Sequence, residues 1–297
     1  MDKVKVYFTK RITPESLVEI YKVVGYDLEG NVGVKISTGE PGGHNYLKPE
    51  LIKDIVDYLH GTIVENCTAY GGKRQKLEDH LKCVEDHGFT KIAKVDILDS
   101  EGEFKIPTKT GCKHLKEDIV GSHLENYDSL LMLSHFKGHA MGGFGGALKN
   151  MSIGVASTKG KLNIHSAGRT LDQADTWANL PPQDDFLESM AEACSAVMDY
   201  YDKKDGIVYI NVINNLSIDC DCDSNPETPC MADIGIVAST DPVAIDRASL
   251  DLIYKSQDPG RDHFLERVET RHGAHTIEHA VTLGLGTTFY EFVDIDK

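Results

Sequence analysis

No run of apolar residues in this 297-residue chain approaches the roughly 20 that a membrane-spanning helix needs. Positive charge is also scarce: 31 lysines and arginines stand against 47 aspartates and glutamates, for a formal net charge of −16. So acidic a surface argues against nonspecific binding to nucleic acid or to anionic membranes, while leaving room for a local basic pocket. The segment Met1-Asp2-Lys3-Val4-Lys5-Val6 lacks the apolar stretch of a signal peptide and opens with strand-like alternation. The expectation is a cytoplasmic protein with no membrane and no nucleic-acid partner. There is no internal repeat and no low-complexity tract. A disulfide framework is missing too: the seven cysteines are odd in number, and only Cys220, Cys222 and Cys230 cluster. In a reducing compartment such a cluster points to metal or redox chemistry rather than to a staple.

What is present suits a globular protein. Hydrophobic residues make up 40% of the chain, enough for a sizeable core, and the length fits one large domain or two modest ones. Strand-like and helix-like segments alternate. Residues 32–37, 62–65, 92–97, 129–133, 207–213 and 234–238 read as strands. A helix follows Pro49, with Leu51, Ile52, Ile55, Val56 and Leu59 on one face and Gly61 past its end. Leu77, Leu81 and Val84 mark a second helix, residues 186–201 a third, and Asp241-Pro242 opens a fourth with Asp as its cap. This alternation predicts an α/β fold, a mostly parallel or mixed sheet flanked by helices. The polar stretch 166–185, with Pro181-Pro182, reads as a linker or long loop. The chain is therefore expected as one domain, or as two lobes on either side of that stretch.

Three segments carry the residue types of a functional site. The first runs from Ser134 to Asn150 and starts at the carboxyl end of a predicted strand, where ligands bind in open α/β sheets. Gly142, Gly143, Gly145 and Gly146 allow close backbone approach to a ligand, and a helix starting near Gly146 would turn free N–H groups toward an anion. Lys137 and Lys149 add charge. The spacing is neither that of a Walker loop nor that of a dinucleotide fingerprint. The plainer alternative is a glycine turn packed on the sheet with both lysines in solvent. The second segment is Asp219-Cys220-Asp221-Cys222-Asp223. Its two thiols, one residue apart, can converge on zinc or iron, with His139 or His165 completing the shell. The neighbouring aspartates are expected to raise the thiol pKa values. The third is Lys35 with Glu40, flanking the turn Gly39-Glu40-Pro41-Gly42-Gly43. A lysine in an apolar strand needs a partner or a ligand, and a structural carboxylate is the competing reading. His272, His275 and His279, at helical spacing, are expected on a solvated helix face.

The order of these segments resembles the domain of unknown function 362 family, whose members are often labelled iron–sulfur centre proteins. The resemblance rests on Val32-Gly33-Val34-Lys35-Ile36, Lys137-Gly138-His139, and Gly143-Phe144-Gly145-Gly146-Ala147-Leu148-Lys149-Asn150. It continues through Gly160-Lys161, His165, Cys220-Asp221-Cys222, Asp233-Ile234-Gly235-Ile236, Ser239-Thr240-Asp241-Pro242-Val243-Ala244-Ile245-Asp246 and Leu283-Gly284-Leu285-Gly286. Many members carry a ferredoxin-like insert near 166–185. This chain has no cysteine there and no Cys-x-x-Cys anywhere, so no ferredoxin-type 4Fe–4S cluster is expected. The leading expectation is a metal-associated protein, a redox enzyme acting on a small anionic substrate. In that reading Lys35, Glu40 and Lys137 are the candidate catalytic groups. Gly142, Gly143, Gly145, Gly146 and Lys149 bind ligand, and Cys220, Cys222, His139 and His165 hold a thiophilic zinc or iron ion. The alternatives are a metal-free binder of a phosphate or carboxylate ligand, and an accessory to a separate iron–sulfur redox partner protein.

Overall fold

The computed structural model describes residues 3–202, 204 and 206–297. Met1 and Asp2, where the N-terminal alternation begins, lie outside the described residues. The chain opens with β1 (Val4–Thr9), α1 (Pro14–Val24), β2 (Val32–Lys35), α2 (Pro49–Tyr58), β3 (Thr62–Glu65), α3 (Leu77–Asp86) and β4 (Val95–Ile97). Next come β5 (Glu103–Pro107), β6 (Glu117–Gly121), β7 (Ser129–His135), β8 (Lys137–His139) and β9 (Gly143–Gly145). Four helices follow: α4 (Ala147–Met151), α5 (Thr158–His165), α6 (Gln173–Ala178) and α7 (Gln183–Tyr201). The last part holds β10 (Ile207–Ile213), β11 (Gly235–Ser239), α8 (Pro242–Lys255), α9 (Arg261–Thr270), α10 (His275–Thr282) and β12 (Tyr290–Asp294).

Eight strands form one mixed sheet in the order β12-β1-β11-β10-β7-β2-β3-β4, in which β11 alone runs against the others. All seven residues of β7 are buried. Leu130 and Met132 enter the core under α4, α7 and α8, while Leu131 and Leu133 enter the core under α1 and α2. Burial on both faces explains why this strand reads as a continuous apolar run rather than an alternation. Local chemistry fixes the helix starts. Thr13 and Ser16 form a capping box ahead of α1, with Pro14 at its first position. Asp241 accepts from Val243 N and Ala244 N at the start of α8, as its sequence predicts.

Two stretches differ from their sequence reading. Residues 166–185, read as linker or loop, form α6 and the start of α7, and Trp177 Nε1 donates to Ala69 O at 2.9 Å. The glycine-rich stretch after β7 forms the hairpin β8–β9, pairing Lys137 with Gly145 and His139 with Gly143. No local periodicity marks three-residue strands; their partners do.

The connections give the sheet a switch point. From β2 the chain moves outward to β3 and β4, whereas from β7 it moves the other way to β10. The crevice at such a reversal, beyond the carboxyl ends of β2 and β7, is where open α/β sheets bind ligands. Lys35 ends β2, Glu65 ends β3 and His135 ends β7, so all three project toward that crevice from the sheet.

Candidate active site

A cavity of about 270 Å³ occupies this crevice. Five cations line it (Lys35, Arg74, Lys137, Lys149 and Lys161), in a protein whose overall charge is strongly negative. Two are paired with carboxylates and a third lies against a thiol. Arg74 Nη1 lies 2.8 Å from Glu65 Oε1, and its Nε lies 3.0 Å from Glu40 Oε2. Lys137 Nζ lies 2.9 Å from Asp221 Oδ2. Lys149 Nζ lies 3.5 Å from Cys220 Sγ.

Lys35 and Lys161 differ. Lys35 Nζ donates to Ile36 O (2.7 Å) and Asn150 Oδ1 (3.2 Å), and Lys161 Nζ donates to Ala156 O (2.5 Å). Among the described residues neither has a carboxylate within 4.0 Å. Burial pushes Lys35 down to about 7; Glu65 opposes the shift, and Lys161, Lys149 and Arg74 add to it. Burial also lowers Lys161, to about 8, against the pull of Asp99 and Glu65. A buried ammonium without a counter-ion is costly unless something neutralises it.

The thiols sit on the loop after β10. The turn at Gly39–Gly43 clasps this loop: Glu40 N donates to Asp221 O at 2.8 Å, and a Cβ on Gly42, at φ 94°, would lie 2.6 Å from Ser224 O. Gly138 of β8 is pressed against the same loop, with Ile218 O 2.4 Å from where its Cβ would stand. The ligand atoms of His139, Cys220 and Cys222 lie within 4.8 Å of one another. The expectation that the aspartates raise both thiols is corrected at Cys220. Asp221 faces His135 Nδ1 (2.8 Å) and Lys137, and Asp219 lies 3.5 Å from Arg267, so their charges are spent elsewhere. A hydrogen bond from Cys222, then the charges of Lys149 and His139, outweigh burial and hold the Cys220 thiol well below its ordinary range. Cys222, which provides that hydrogen bond, is pushed well above. The thiols also border a wider cleft of about 650 Å³ that carries Asp219, Asp223 and Lys73.

His139 and His165 are both buried but differ in tautomer. His139 Nδ1 accepts from Gly142 N (2.8 Å) and Met141 N (3.2 Å), so in the neutral ring the proton belongs on Nε2. Burial and then Lys149 lower its pKa. His165 Nδ1 donates to Lys161 O (2.7 Å), which leaves Nε2 as the acceptor, and burial pushes this ring down to about 3. Its ring stacks on Phe186 at 5.1 Å.

The helix expected near Gly146 is α4, but its first N–H groups are not free. Ala147 N and Leu148 N donate to the buried carboxylate of Asp246 at 2.7 and 2.9 Å. The anion at this helix start is the protein's own, delivered by α8, and burial raises it to about 6.

The model of the DUF362 family, described as a domain of unknown function, matches residues 32–251. The chain belongs to that family. No curated protein matches it. Among solved structures, the lactate racemase apoprotein from Thermoanaerobacterium thermosaccharolyticum is 12% identical with a TM-score of 0.47, over 84% of this chain and 57% of that one. A protein from Thermotoga maritima, solved in a structural genomics programme, is 13% identical with a TM-score of 0.41, over 91% of this chain and 58% of that one. The chain thus spans little more than half the length of either, and at such scores neither carries an argument about this site.

In this DUF362 chain the cavity gathers Lys35, Lys137, His139, Gly145, Gly146, Lys149, His165, Cys220 and Cys222 from segments far apart in sequence. Other candidates fall outside it. Glu40 turns away to Arg74, Tyr70 and the Lys73 amide, and does not pair with Lys35. Gly142 serves the His139 hydrogen bond, and Gly143 packs on Gly273. His165 lines the cavity but is not part of the His139–Cys220–Cys222 group. Lys161, Arg74 and Glu65 join the wall without having been singled out by sequence reasoning as charged site groups. The Gly160-Lys161 pair of the family resemblance was the one signal for Lys161. His275 and His279 are not on a solvated face: both turn onto Glu188 of α7, at 3.2 and 3.7 Å, where His114 joins them at 2.9 Å. Among the described residues, no helix is long and apolar enough to cross a membrane.

Proposed function

We propose that the cavity binds a small anionic substrate and presents it to the Cys220–Cys222 pair, as the site of an enzyme of redox or metal-assisted chemistry. One observation carries the anion: Lys35 and Lys161 are buried in the cavity wall without a carboxylate partner among the described residues. A thiophilic ion such as zinc or iron is the cofactor the donor set supports, because two sulfurs and an imidazole lie within 4.8 Å of one another. A dication would deprotonate both thiols, and the acidic outer cleft at Asp219 and Asp223 gives it a path to them. In that state Lys149 would hydrogen-bond a metal-bound sulfur, while Lys35 and Lys161 hold the substrate's charge. The test is titration of anaerobically purified protein with zinc, cobalt or iron, against a Cys220→Ser, Cys222→Ser double variant. Loss of tight binding in the double variant is the expected result; equal affinity in both proteins removes the thiols from any metal site.

A second, metal-free reading is favoured by His139. A metal on Nε2 requires the ring proton on Nδ1, where the Gly142 and Met141 N–H groups already donate. As it stands the imidazole is a donor toward Cys220, and the pair reads as a thiolate held by Lys149 and His139. In that case the titration gives no tight site in wild type, and Cys220 is alkylated faster than Cys222 at neutral pH.

A further inference from the structure

The wall of the cavity leaves specific bonding capacity unused, and its pattern defines a ligand class. Lys35 and Lys161 each keep donors beyond those spent on carbonyl and amide oxygens. Asn66 Oδ1 and Thr68 Oγ1 also line the cavity; both residues are at least nine-tenths buried, and neither atom has a hydrogen-bond partner among the described residues. These groups are neighbours. Asn66 Nδ2 donates to Gly154 O and Val155 O, and Lys161 Nζ donates to Ala156 O, so three consecutive carbonyls seat both side chains. Lys35 is in register with Val64 on the adjacent strand, and Asn66 lies two residues beyond Val64, so Lys35 and Asn66 leave the sheet on the same face, beside Lys161. The neighbouring ion pairs are complete: Arg74 is shared by Glu40 and Glu65, and Lys137 is paired with Asp221. Two positive charges, the Thr68 hydroxyl, the Asn66 amide oxygen and the acceptor nitrogen of His165 remain.

We propose that the ligand is a small phosphate monoester, with both negative charges on one compact group held by Lys35 and Lys161, and with a hydroxyl or amine hydrogen beside it for Asn66 Oδ1. This rests on the reading of the cavity as an anion site. It goes further in fixing charge, compactness and the need for a donor. Two separated carboxylates match the paired lysines less well, and a monoanion leaves one ammonium uncompensated. An anion lacking a hydroxyl or amine leaves Asn66 Oδ1 unsatisfied, which is expensive in a buried site. Thr68 Oγ1 is free to donate to a phosphoryl oxygen.

The test is calorimetric titration of chelator-treated wild-type protein near neutral pH and constant ionic strength, with four probes: glycerol 3-phosphate, methyl phosphate, succinate and glycolate. Glycerol 3-phosphate is expected to bind tightest. Methyl phosphate should be weaker by about tenfold for the missing hydroxyl, and glycolate weaker than methyl phosphate by about tenfold or more. Lys161→Gln should weaken both phosphates by about tenfold or more while raising the melting temperature of the unliganded protein, a pairing that a purely structural lysine does not give. Asn66→Leu should shrink the preference for glycerol 3-phosphate over methyl phosphate from about tenfold to less than about threefold, a ratio that a general loosening of the site does not move. Binding of succinate or glycolate as tight as that of methyl phosphate overturns the phosphate assignment while leaving an anion site. Unchanged phosphate affinity in Lys161→Gln, or no phosphate binding at about 10 mM, overturns it outright. The same titration on the Cys220→Ser, Cys222→Ser variant separates the two proposals: phosphate binding retained there, with no metal site in wild type, sinks the metal reading and leaves this one standing.

Discussion

Two buried charge clusters share one wall of this protein and behave in opposite ways. In the first, Arg74 lies between Glu40 and Glu65, and Tyr70, Thr38 and His80 take up further carboxylate lone pairs. Its charges are answered from within the chain. In the second, Lys35 and Lys161 are equally buried but end on carbonyl and amide oxygens, with Lys149 beside a sulfur. The first cluster ties the loops around residues 40 and 74 to the end of β3. The second leaves positive charge facing a cavity. A satisfied polar network serves as scaffold; the unsatisfied one at the sheet's switch point is the basis of the proposed anion site.

The comparison breaks first at Arg74. Arg74→Leu leaves two buried carboxylates without their cation and is expected to cost about 3–5 kcal/mol, read as a lower denaturation midpoint with unchanged slope. A loss under about 1 kcal/mol would show that Glu40 and Glu65 find water instead, and the contrast between the clusters would fail. Asp246 is the next test, since it completes a site the sequence left open. Asp246→Ala strips the acceptor from Ala147 N, Leu148 N and Asn211 Nδ2 and should cost about 2 kcal/mol.

The unpaired cluster should respond with the opposite sign. Lys35→Met is expected to stabilise the unliganded protein by about 1 kcal/mol near neutral pH. Its folded pKa of about 7 lies below the usual lysine value of 10.5, so in that interval the unfolded chain binds more protons. The wild-type protein should therefore gain stability as pH rises from 7 toward 9, and the gain should shrink in Lys35→Met. Denaturant midpoints of both proteins across that range check it, and parallel curves would mean that Lys35 is not strained by burial.

The smallest effect belongs to the half-open cluster at Glu188. Burial alone would raise this carboxyl, but hydrogen bonds from His114, Lys113 and His275 outweigh it and hold it at about 2. Its contribution is present above the ordinary glutamate pKa and is lost as pH falls from about 4.5 toward 2. Glu188→Gln should flatten the acid limb of the stability curve and leave neutral pH nearly unaffected; an unchanged acid limb would remove this cluster from the balance.

Much of the framework could be read in advance. β10 was legible to the residue, because a seven-residue β-branched and aromatic run broken only by Asn211 has few other readings between turns, and the starts of α2 and α8 were legible from Pro49 and from Asp241-Pro242. The hairpin β8–β9 was not, since strands of three residues exist only through their partners. Lys35, Lys137, Lys149, Cys220 and Cys222 could be picked out because charge or sulfur at a predicted strand end is conspicuous. Glu40 looked equally conspicuous but is claimed by Arg74, a residue in a segment without periodicity.

By itself, then, the sequence determined the alternating α/β pattern, the buried central strand β7 and the chemical types available at the sheet's edge, all properties of neighbours along the chain. Only the tertiary structure decided which charges are neutralised. Asp221 goes to His135 and Lys137, Asp246 to the start of α4, and Glu40 and Glu65 to Arg74, while Lys35 and Lys161 are left without a carboxylate partner. Pairing depends on distances of a few ångströms between residues nine to about a hundred positions apart, and that information lies in the packing of the sheet rather than in any local pattern.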